Sequence, residues 1–311
     1  MQHRHVEVDD KTRKRIGEIG GEAVGYDVPM SRYTTLGVGG NAEAVFKAET
    51  LEGLREMVGF LTGEGIDYLV VGRGSNLLVG DYGLDGVVIM LNQGLTSIEV
   101  QAGEEPWVKA GAGVALNTLV NFCAESGLSG LEFLAGIPGS LGGAVAMNAG
   151  AWGKEIKDVI TEITILTGEG SVVSKGRGEL AFRYRELDLP QGSIILDGSL
   201  GLRRDRPASA KKRMISYRND RKNSQPIDVK SAGSVFRNPE GDYAGRLIEA
   251  AGLKGRRVGG AMISPKHANF IVNTGGASAS DIEALMGLAV DTVRELFGVT
   301  LIPEIRRVGR P

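Results

Sequence analysis

Cysteine and histidine are scarce in this 311-residue sequence, which has one cysteine, Cys123, and three histidines. A single thiol excludes an internal disulfide and a cysteine-rich zinc site, and it suits a reducing, cytoplasmic compartment. Cys123 falls on an apolar helical stripe, so buried packing explains it without chemistry. Of the histidines only His267 lies inside the part of the chain expected to be ordered. A Ser-His-Asp triad would have to use it, and no nucleophile-elbow pattern accompanies it, which argues against a hydrolase. Ser209-Ala-Lys-Lys212 spells Ser-x-x-Lys without the partner motifs that pattern needs. The glycine-lysine-serine arrangement of a Walker A loop is also missing, which argues against an NTPase.

Charge of one sign is not in excess either. The formal net charge is −2, so no basic field would hold the chain on nucleic acid or an anionic membrane. Neither partner is expected, no metal site is indicated, and no obligate protein partner is evident. Long apolar runs are absent too: Met1–Glu7 lacks the apolar core of a secretory leader. The longest uncharged stretch, Phe133–Gly153, has the length of a membrane span but carries six glycines, Pro138 and Asn148. Those residues suit a spanning helix poorly, and the stretch reads as a structured glycine-rich loop.

Glycine is abundant, at 47 residues, about twice the usual ~7%. Many backbone positions therefore call for glycine geometry. The length suits roughly two domains of ordinary size. Order is expected from about residue 15. Thr50 caps a helix with Leu51, Leu54, Val58 and Leu61 at helical spacing, ended by Gly63 and Gly65. A buried strand over 68–71 follows, then strands over 87–91 and 107–110, and a helix striped by Leu116, Leu119, Val120 and Cys123. Beyond the glycine-rich loop, 159–166 and 193–200 read as strands with a short, turn-rich region between them, an α+β pattern rather than a regularly wound one.

Nine basic residues fall within 203–223, and Pro207 suits a first helical position, which places a domain boundary at about 206. A solvated helix face explains the basic run equally well. The C-terminal part then carries two amphipathic helices. One turns Tyr243, Leu247, Ile248 and Ala251 inward; the other is capped by Ser280 with Glu283, shows Ile282, Leu285, Met286, Ala289, Val293 and Leu296, and stops at Gly298.

Two glycine-rich segments could hold a phosphate. Val71-Gly-Arg-Gly-Ser-Asn76 follows a strand, and its amides could curl around an anion. It fails as a dinucleotide fingerprint, because Leu77 stands at the third glycine position and Leu78-Val79 look extended. The segment from Ala135 to Gly153 has side chains small enough for a flat ring and a pyrophosphate to lie on backbone; a tight crossover is the plainer explanation. Tyr184-Arg185, Ser234 within Ala232–Pro239, and Glu304 within Leu301–Arg306 are the remaining polar candidates, each with an ordinary reading as a surface charge, a turn residue or an exposed strand residue.

Taken together and in this order, these segments resemble the UDP-N-acetylenolpyruvoylglucosamine reductase (UDP-N-acetylmuramate dehydrogenase) family. The resemblance runs from Tyr33–Gly40 through 72–76, 135–153, Tyr184-Arg185, 232–239 and Lys266–Asn273 to Pro303-Glu304. It implies an α+β, two-subdomain FAD-binding fold of the vanillyl-alcohol oxidase type over 15–206, with subdomains at about 15–86 and 87–206. A separate α+β substrate-binding domain over 207–311 would follow. Noncovalent FAD would be held by Val71, Gly72, Arg73, Gly74, Ser75 and Asn76, and by Gly136, Ile137, Pro138, Gly139, Ser140, Gly142, Gly143, Ala144, Asn148 and Gly150. Thr34 and Thr35 would lie in the same region.

The implied reaction is a pair of hydride transfers, from NADPH to FAD and from reduced flavin to UDP-N-acetylglucosamine enolpyruvate, in peptidoglycan precursor synthesis. Arg185 and a protonated Glu304 would stabilise the developing enolate charge, Glu304 needing a pKa raised by burial. Ser234 would give the proton to C2. Tyr184, Asn238 and His267 match substrate-contact positions, and Arg221 and Lys222 are candidates for the diphosphate.

The sequence departs from the family pattern in two places. Leu187 stands where many relatives carry serine, and the short run from Arg185 to Ser193 leaves no room for the long insertion of one subgroup, so the chain resembles the shorter, type II form. Another flavin-dependent alcohol or sugar oxidase on the same fold is the alternative, and it would have no reason to carry Ser234, His267 and Glu304 together.

Overall fold

The apolar side chains sort into two cores. In the computed structural model, which describes residues 8–91, 94–101 and 103–310, one core gathers the inward faces of the helices Leu51–Glu64 and Leu116–Glu125 with strands such as Ile160–Leu166. The other gathers Leu36, Val38 and Leu78 with the helices Ala244–Ala250 and Ala279–Phe297. The segment Met1–Glu7, read above for a leader, lies outside the described residues. Among the described residues no helix is long and apolar enough to cross a membrane.

Each core belongs to one compact unit. Of the described residues, the first comprises those within 8–26, 44–73 and 86–219; the second comprises those within 27–43, 74–85 and 220–310. This division differs from a single cut at 206 and from subdomains split at 86. Two short excursions of the N-terminal half join the second unit because their partners are distant in sequence. Strand Leu77–Val79 pairs in parallel with Arg306–Val308, and Leu36 and Val38 fill the second core. Local pattern carries no sign of such pairing. The helix Pro207–Ser224 begins at the expected proline but runs on past the division at 219–220.

In the first unit, five antiparallel strands stand in the order Val172–Gly176, Ile160–Leu166, Ile194–Gly201, Trp107–Gly111, Ile98–Gln101. Another sheet has the order Val24–Pro29, Asn41–Lys47, Leu84–Met90, Tyr68–Val71, the last two parallel, and of it 24–26, 44–47, 86–90 and 68–71 fall in the first unit. The helix Leu51–Glu64 is capped as expected: Thr50 Oγ1 accepts from Gly53 N–H at 3.1 Å, and Gly65 ends it in the left-handed region at φ +68°. Cys123 is buried, and burial pushes its thiol up to about 12.

Several expectations need correction. Order begins earlier than residue 15, with a helix Asp10–Gly20 capped by Asp9; Ile16 is its one fully buried residue, so it shows no apolar stripe. The 133–153 stretch is not all loop, since Ser140 caps a six-residue helix Leu141–Ala146. The region between 166 and 193 holds strand Val172–Gly176 and a hairpin Ala181–Arg183/Glu186–Asp188, the former with Val172 and Val173 exposed and so without alternation. No insertion separates that hairpin from Ile194–Gly201.

In the second unit, the sheet order is Lys230–Ser231, Ile271–Asn273, Ala261–Ile263, Arg257–Val258, all antiparallel. Tyr243 does not point inward: it is the residue before the helix Ala244–Ala250 and is exposed. The long helix is capped by Ser278 with Asp281, two residues before the expected pair, and Leu296 on it is exposed.

Candidate active site

In the first unit the strand Tyr68–Val71 delivers Gly72 against the glycine-rich segment. A Cβ on Gly72 would lie 2.1 Å from Ser140 Oγ, so any side chain there would have to displace Ser140. Ser140 itself is occupied as a helix cap, accepting from Gly143 N–H. Gly136 and Gly139 have φ of +78° and +150°, conformations that favour glycine. Gly136 N–H donates to Asn117 Oδ1 at 3.1 Å. The backbone of 136–144 is thus carried through a turn, a cap and one short helix. Ile137 is half-buried, Pro138 exposed, and Gly142 and Ala144 buried; Arg73 is exposed.

The same segment ends in a polar cluster around Arg185. Tyr184 and Arg185 form the two-residue tip of the hairpin in which Arg183 pairs with Glu186. Arg185 adopts φ +58°, a left-handed conformation in which glycine or asparagine costs less. Its guanidinium donates to the carbonyls of Asn148 (3.4 Å) and Gly150 (3.3 Å), lies 5.0 Å from the Tyr184 ring centroid, and approaches Glu155 Oε1 at 3.7 Å.

Asn148, expected to touch cofactor, is fully buried at φ +40°, and its side chain is spent on protein. Its amide nitrogen donates to Glu155 Oε2 and the Arg183 carbonyl, and its oxygen accepts from Lys157 N–H. Lys157 pairs with Glu155 at 2.6 Å, and that hydrogen bond holds the ammonium pKa above its ordinary value. Glu155 escaped the sequence reading. The available signal was its place in the hairpin after Asn148, where it pairs with Gly150.

In the second unit the structure brings Ser234, Glu304 and Asn76 together. The amide of Glu304 donates to the Val235 carbonyl at 2.8 Å, next to Ser234. The Asn76 side-chain amide donates to the Glu304 carbonyl at 3.1 Å, and Arg306 N–H donates to the Asn76 carbonyl at 2.9 Å. Ser234 and Glu304 are half-buried. Asn269, a buried residue also missed above, clamps the Ser234 segment: Phe236 N–H donates to its Oδ1, its Nδ2 donates to the Phe236 carbonyl, and its carbonyl accepts from Val235 N–H.

Other expected residues are more dispersed. Asn238 accepts from Ala244 N–H through Oδ1, so its side chain serves a helix start. His267 is half-buried edge-on to Phe270, and its Nδ1 accepts from Asn269 N–H at 3.2 Å, which defines a neutral ring. Burial, then the Lys254 ammonium, lower its pKa. Arg221 donates to Gln225 Oε1, while its buried Nε has no protein partner; burial lowers its pKa. The Lys222 carbonyl accepts from the Lys266 ammonium.

Around the first glycine motif of this unit, Gly74 at φ +59° leaves no space for a Cβ, which would meet the Tyr33 carbonyl, and its own carbonyl accepts from Thr35 N–H at 3.1 Å. Ser75 is half-buried beside it. Thr34 Oγ1 donates to the Val38 carbonyl and is a turn residue.

Comparison with known proteins decides the family. The sequence matches the family described as UDP-N-acetylenolpyruvoylglucosamine reductase, C-terminal domain, over residues 225–308, and that described as FAD binding domain over residues 42–176. The UDP-N-acetylenolpyruvoylglucosamine reductase of Acidiphilium cryptum is 45% identical over 299 residues, covering 96% of this chain and 95% of the relative. The chain belongs to the UDP-N-acetylenolpyruvoylglucosamine reductase family. Another member, from Desulfosudis oleivorans, is 41% identical and matched over its whole length and 97% of this chain. The crystal structure of the reductase from Thermus caldophilus superposes with a TM-score of 0.77 at 40% identity, covering 90% of this chain and 97% of the other.

Family membership fits the site's own chemistry. The buried Thr35 hydroxyl has no protein partner, and buried polar groups left unpaired in a protein are commonly completed by a ligand or water. The glycine-rich backbone of 136–150 offers small side chains and left-handed turns, the surface a flavin and its pyrophosphate need. Leu187, the departure noted beside Arg185, is explained by packing: it is buried in the first core.

Proposed function

We propose that the protein reduces UDP-N-acetylglucosamine enolpyruvate to UDP-N-acetylmuramate in peptidoglycan precursor synthesis, in the cytoplasm, with FAD as cofactor and NADPH as the source of hydride. FAD would be held by Val71, Gly72, Arg73, Gly74, Ser75 and Asn76 and by the 136–150 segment, with Thr34 and Thr35 in the same flavin-binding role. Bound FAD would supply the hydride that the enolpyruvyl C3 accepts.

The observation that carries the reading is the bond from Glu304 N–H to the carbonyl of Val235, the residue after Ser234. It supports a hydroxyl donor and a carboxyl group placed on adjoining segments. In the proposed reaction Ser234 gives its proton to C2 of the substrate and regains one from water, so the net change is hydride plus proton across the double bond. Arg185 and a protonated Glu304 carry the negative charge that grows on the substrate carboxylate as hydride arrives. Tyr184, Asn238 and His267 contact the nucleotide-sugar, and Arg221, with its unpartnered Nε, and Lys222 take the diphosphate.

The test is the visible spectrum of purified protein, followed anaerobically by NADPH and then by the enolpyruvyl substrate. Flavin bands that bleach with NADPH and return with that substrate are expected. Bands that return only with oxygen or an alcohol-derived product would place the chain among oxidases, and protein without flavin after reconstitution would overturn the reading.

A further inference from the structure

Arginine is an expensive choice at position 185. The hairpin tip holds it at φ +58°, where glycine costs nothing and most other side chains are strained. Strain of this kind persists when surrounding contacts over-determine it. Those contacts lead to one carboxylate. Glu155 Oε1 faces the Arg185 guanidinium at 3.7 Å, with both side chains about one-fifth exposed at 19%. Glu155 Oε2 accepts from Asn148 Nδ2, the residue whose carbonyl receives Arg185 Nη1. Glu155 also pairs across the hairpin with Gly150, whose carbonyl receives Arg185 Nη2. A Cβ on Gly150 would lie 2.8 Å from Glu155 Cγ, so the two backbones are held in close register. The Asn148 and Gly150 carbonyl contacts of the guanidinium therefore both run through residues that Glu155 bonds to or pairs with.

We infer that Glu155 is a positioning residue for the substrate half of the reaction, holding the Arg185 guanidinium on the glycine-rich hairpin at the angle and charge the carboxylate-binding role requires. The inference rests on the proposed role of Arg185. Glu155 acts through Arg185 and not on the substrate. Glu155→Gln keeps an acceptor for Asn148 and removes the charge that faces both Arg185 and Lys157, so the double variant with Arg185→Ala is what separates the arginine's share from a carboxylate that merely folds the hairpin.

The experiment uses flavin-loaded protein and four variants: Arg185→Ala, Glu155→Gln, Glu155→Ala and the double variant Arg185→Ala/Glu155→Gln. Thermal melts of each show which are folded. Reoxidation of reduced flavin by the enolpyruvyl substrate is expected to slow about tenfold to a hundredfold in Glu155→Ala, the size of effect that an ångström of misplacement produces, and less in Glu155→Gln. Flavin reduction by NADPH should stay near the parent rate. The double variant should be no slower than Arg185→Ala, since the effect of Glu155 passes through the arginine. A readout independent of turnover is the ¹⁵Nε–¹Hε resonance of Arg185, assigned by its loss in Arg185→Ala, which should broaden or shift in Glu155→Gln. If Arg185→Ala slows substrate reoxidation while both Glu155 variants react at the parent rate, or if the double variant is slower by the product of the two effects, the inference is overturned. If Arg185→Ala itself reacts at the parent rate, the reading of Arg185 fails first and takes the inference with it.

Discussion

The side-chain amide of Asn76 donates to the backbone carbonyl of Glu304 at 3.1 Å, across 228 residues of sequence. Asn76 thereby sets the height of the segment that carries the proposed carboxyl group, while its own carbonyl receives Arg306 N–H where strands Leu77–Val79 and Arg306–Val308 begin to pair. Asn76→Ala is expected to lower stability by about 1–2 kcal/mol, the cost of one lost and one orphaned partner. It should also slow reoxidation by substrate more than reduction by NADPH. Urea unfolding and anaerobic stopped flow measure the two effects; parent-like stability would show that the bond contributes nothing net.

Ser234 follows a glycine at φ +76° and precedes Val235, which is fixed on both sides by Asn269 and Glu304. Its hydroxyl is therefore carried on a rigid segment. Ser234→Ala should leave flavin reduction by NADPH near the parent rate and slow oxidation by the enolpyruvyl substrate by about a hundredfold or more, in line with loss of a general acid. Equal slowing of both half-reactions would sink the proton-donor role.

Helices with a stripe and a cap were legible in the sequence. Leu51–Glu64 lies where Thr50 and Gly65 put it, and Leu78-Val79 are extended as expected. What local pattern could not supply was the partner of each short strand, as with Leu77–Val79 and Arg306–Val308. The long C-terminal helix shows the limit at a single residue. Ser278 with Asp281 and Ser280 with Glu283 both match the capping pattern, and Asp81, which accepts from Ala279 N–H, Ser280 N–H and the Ser280 hydroxyl, is the tertiary partner that accompanies the earlier start. Glu155 and Asn269 were missed for the same reason. A polar residue that positions another is recognised by what it touches, and contact is nonlocal.

Asn148 makes three side-chain hydrogen bonds while fully buried and left-handed. Asn148→Ala strands the Arg183 carbonyl and Lys157 N–H and puts a Cβ residue with no compensating polar group at φ +40°; a loss of about 3 kcal/mol or more is expected. Asn148→Gly relieves the backbone term alone and should fall between the parent and Asn148→Ala in urea unfolding. The reverse order of the two variants would mean that backbone conformation is not part of the cost.

Leu187 lies in the hairpin beside Arg185, opposite Phe182, and is buried in the first core. Leu187→Ser removes packed methyl groups and buries a hydroxyl. It should cost about 2–4 kcal/mol. Chemical denaturation with a matched m-value reads the change, and unaltered stability would show that the site accepts serine without loss.

His267 gives the protein a specific acid sensitivity. Its Nδ1 accepts Asn269 N–H, so the folded state favours the neutral ring, and burial followed by the Lys254 ammonium holds its pKa below the ordinary value of 6.5. In the unfolded chain the imidazole returns to that ordinary value and binds its proton first. The unfolded state therefore carries more protons in the window just below pH 6.5, and stability falls as pH drops through that window. Above it the group contributes no slope. Lowered carboxylates such as Asp242, held at about 2 by Arg246, act in a more acidic range. Urea midpoints measured between about pH 5 and pH 7.5 should decline on the acid side in the parent and decline less in His267→Gln, since only the parent has an imidazole near 6.5 to protonate on unfolding. Identical slopes in the two proteins would mean that His267 is protonated equally in both states and that its bond to Asn269 does not govern its charge.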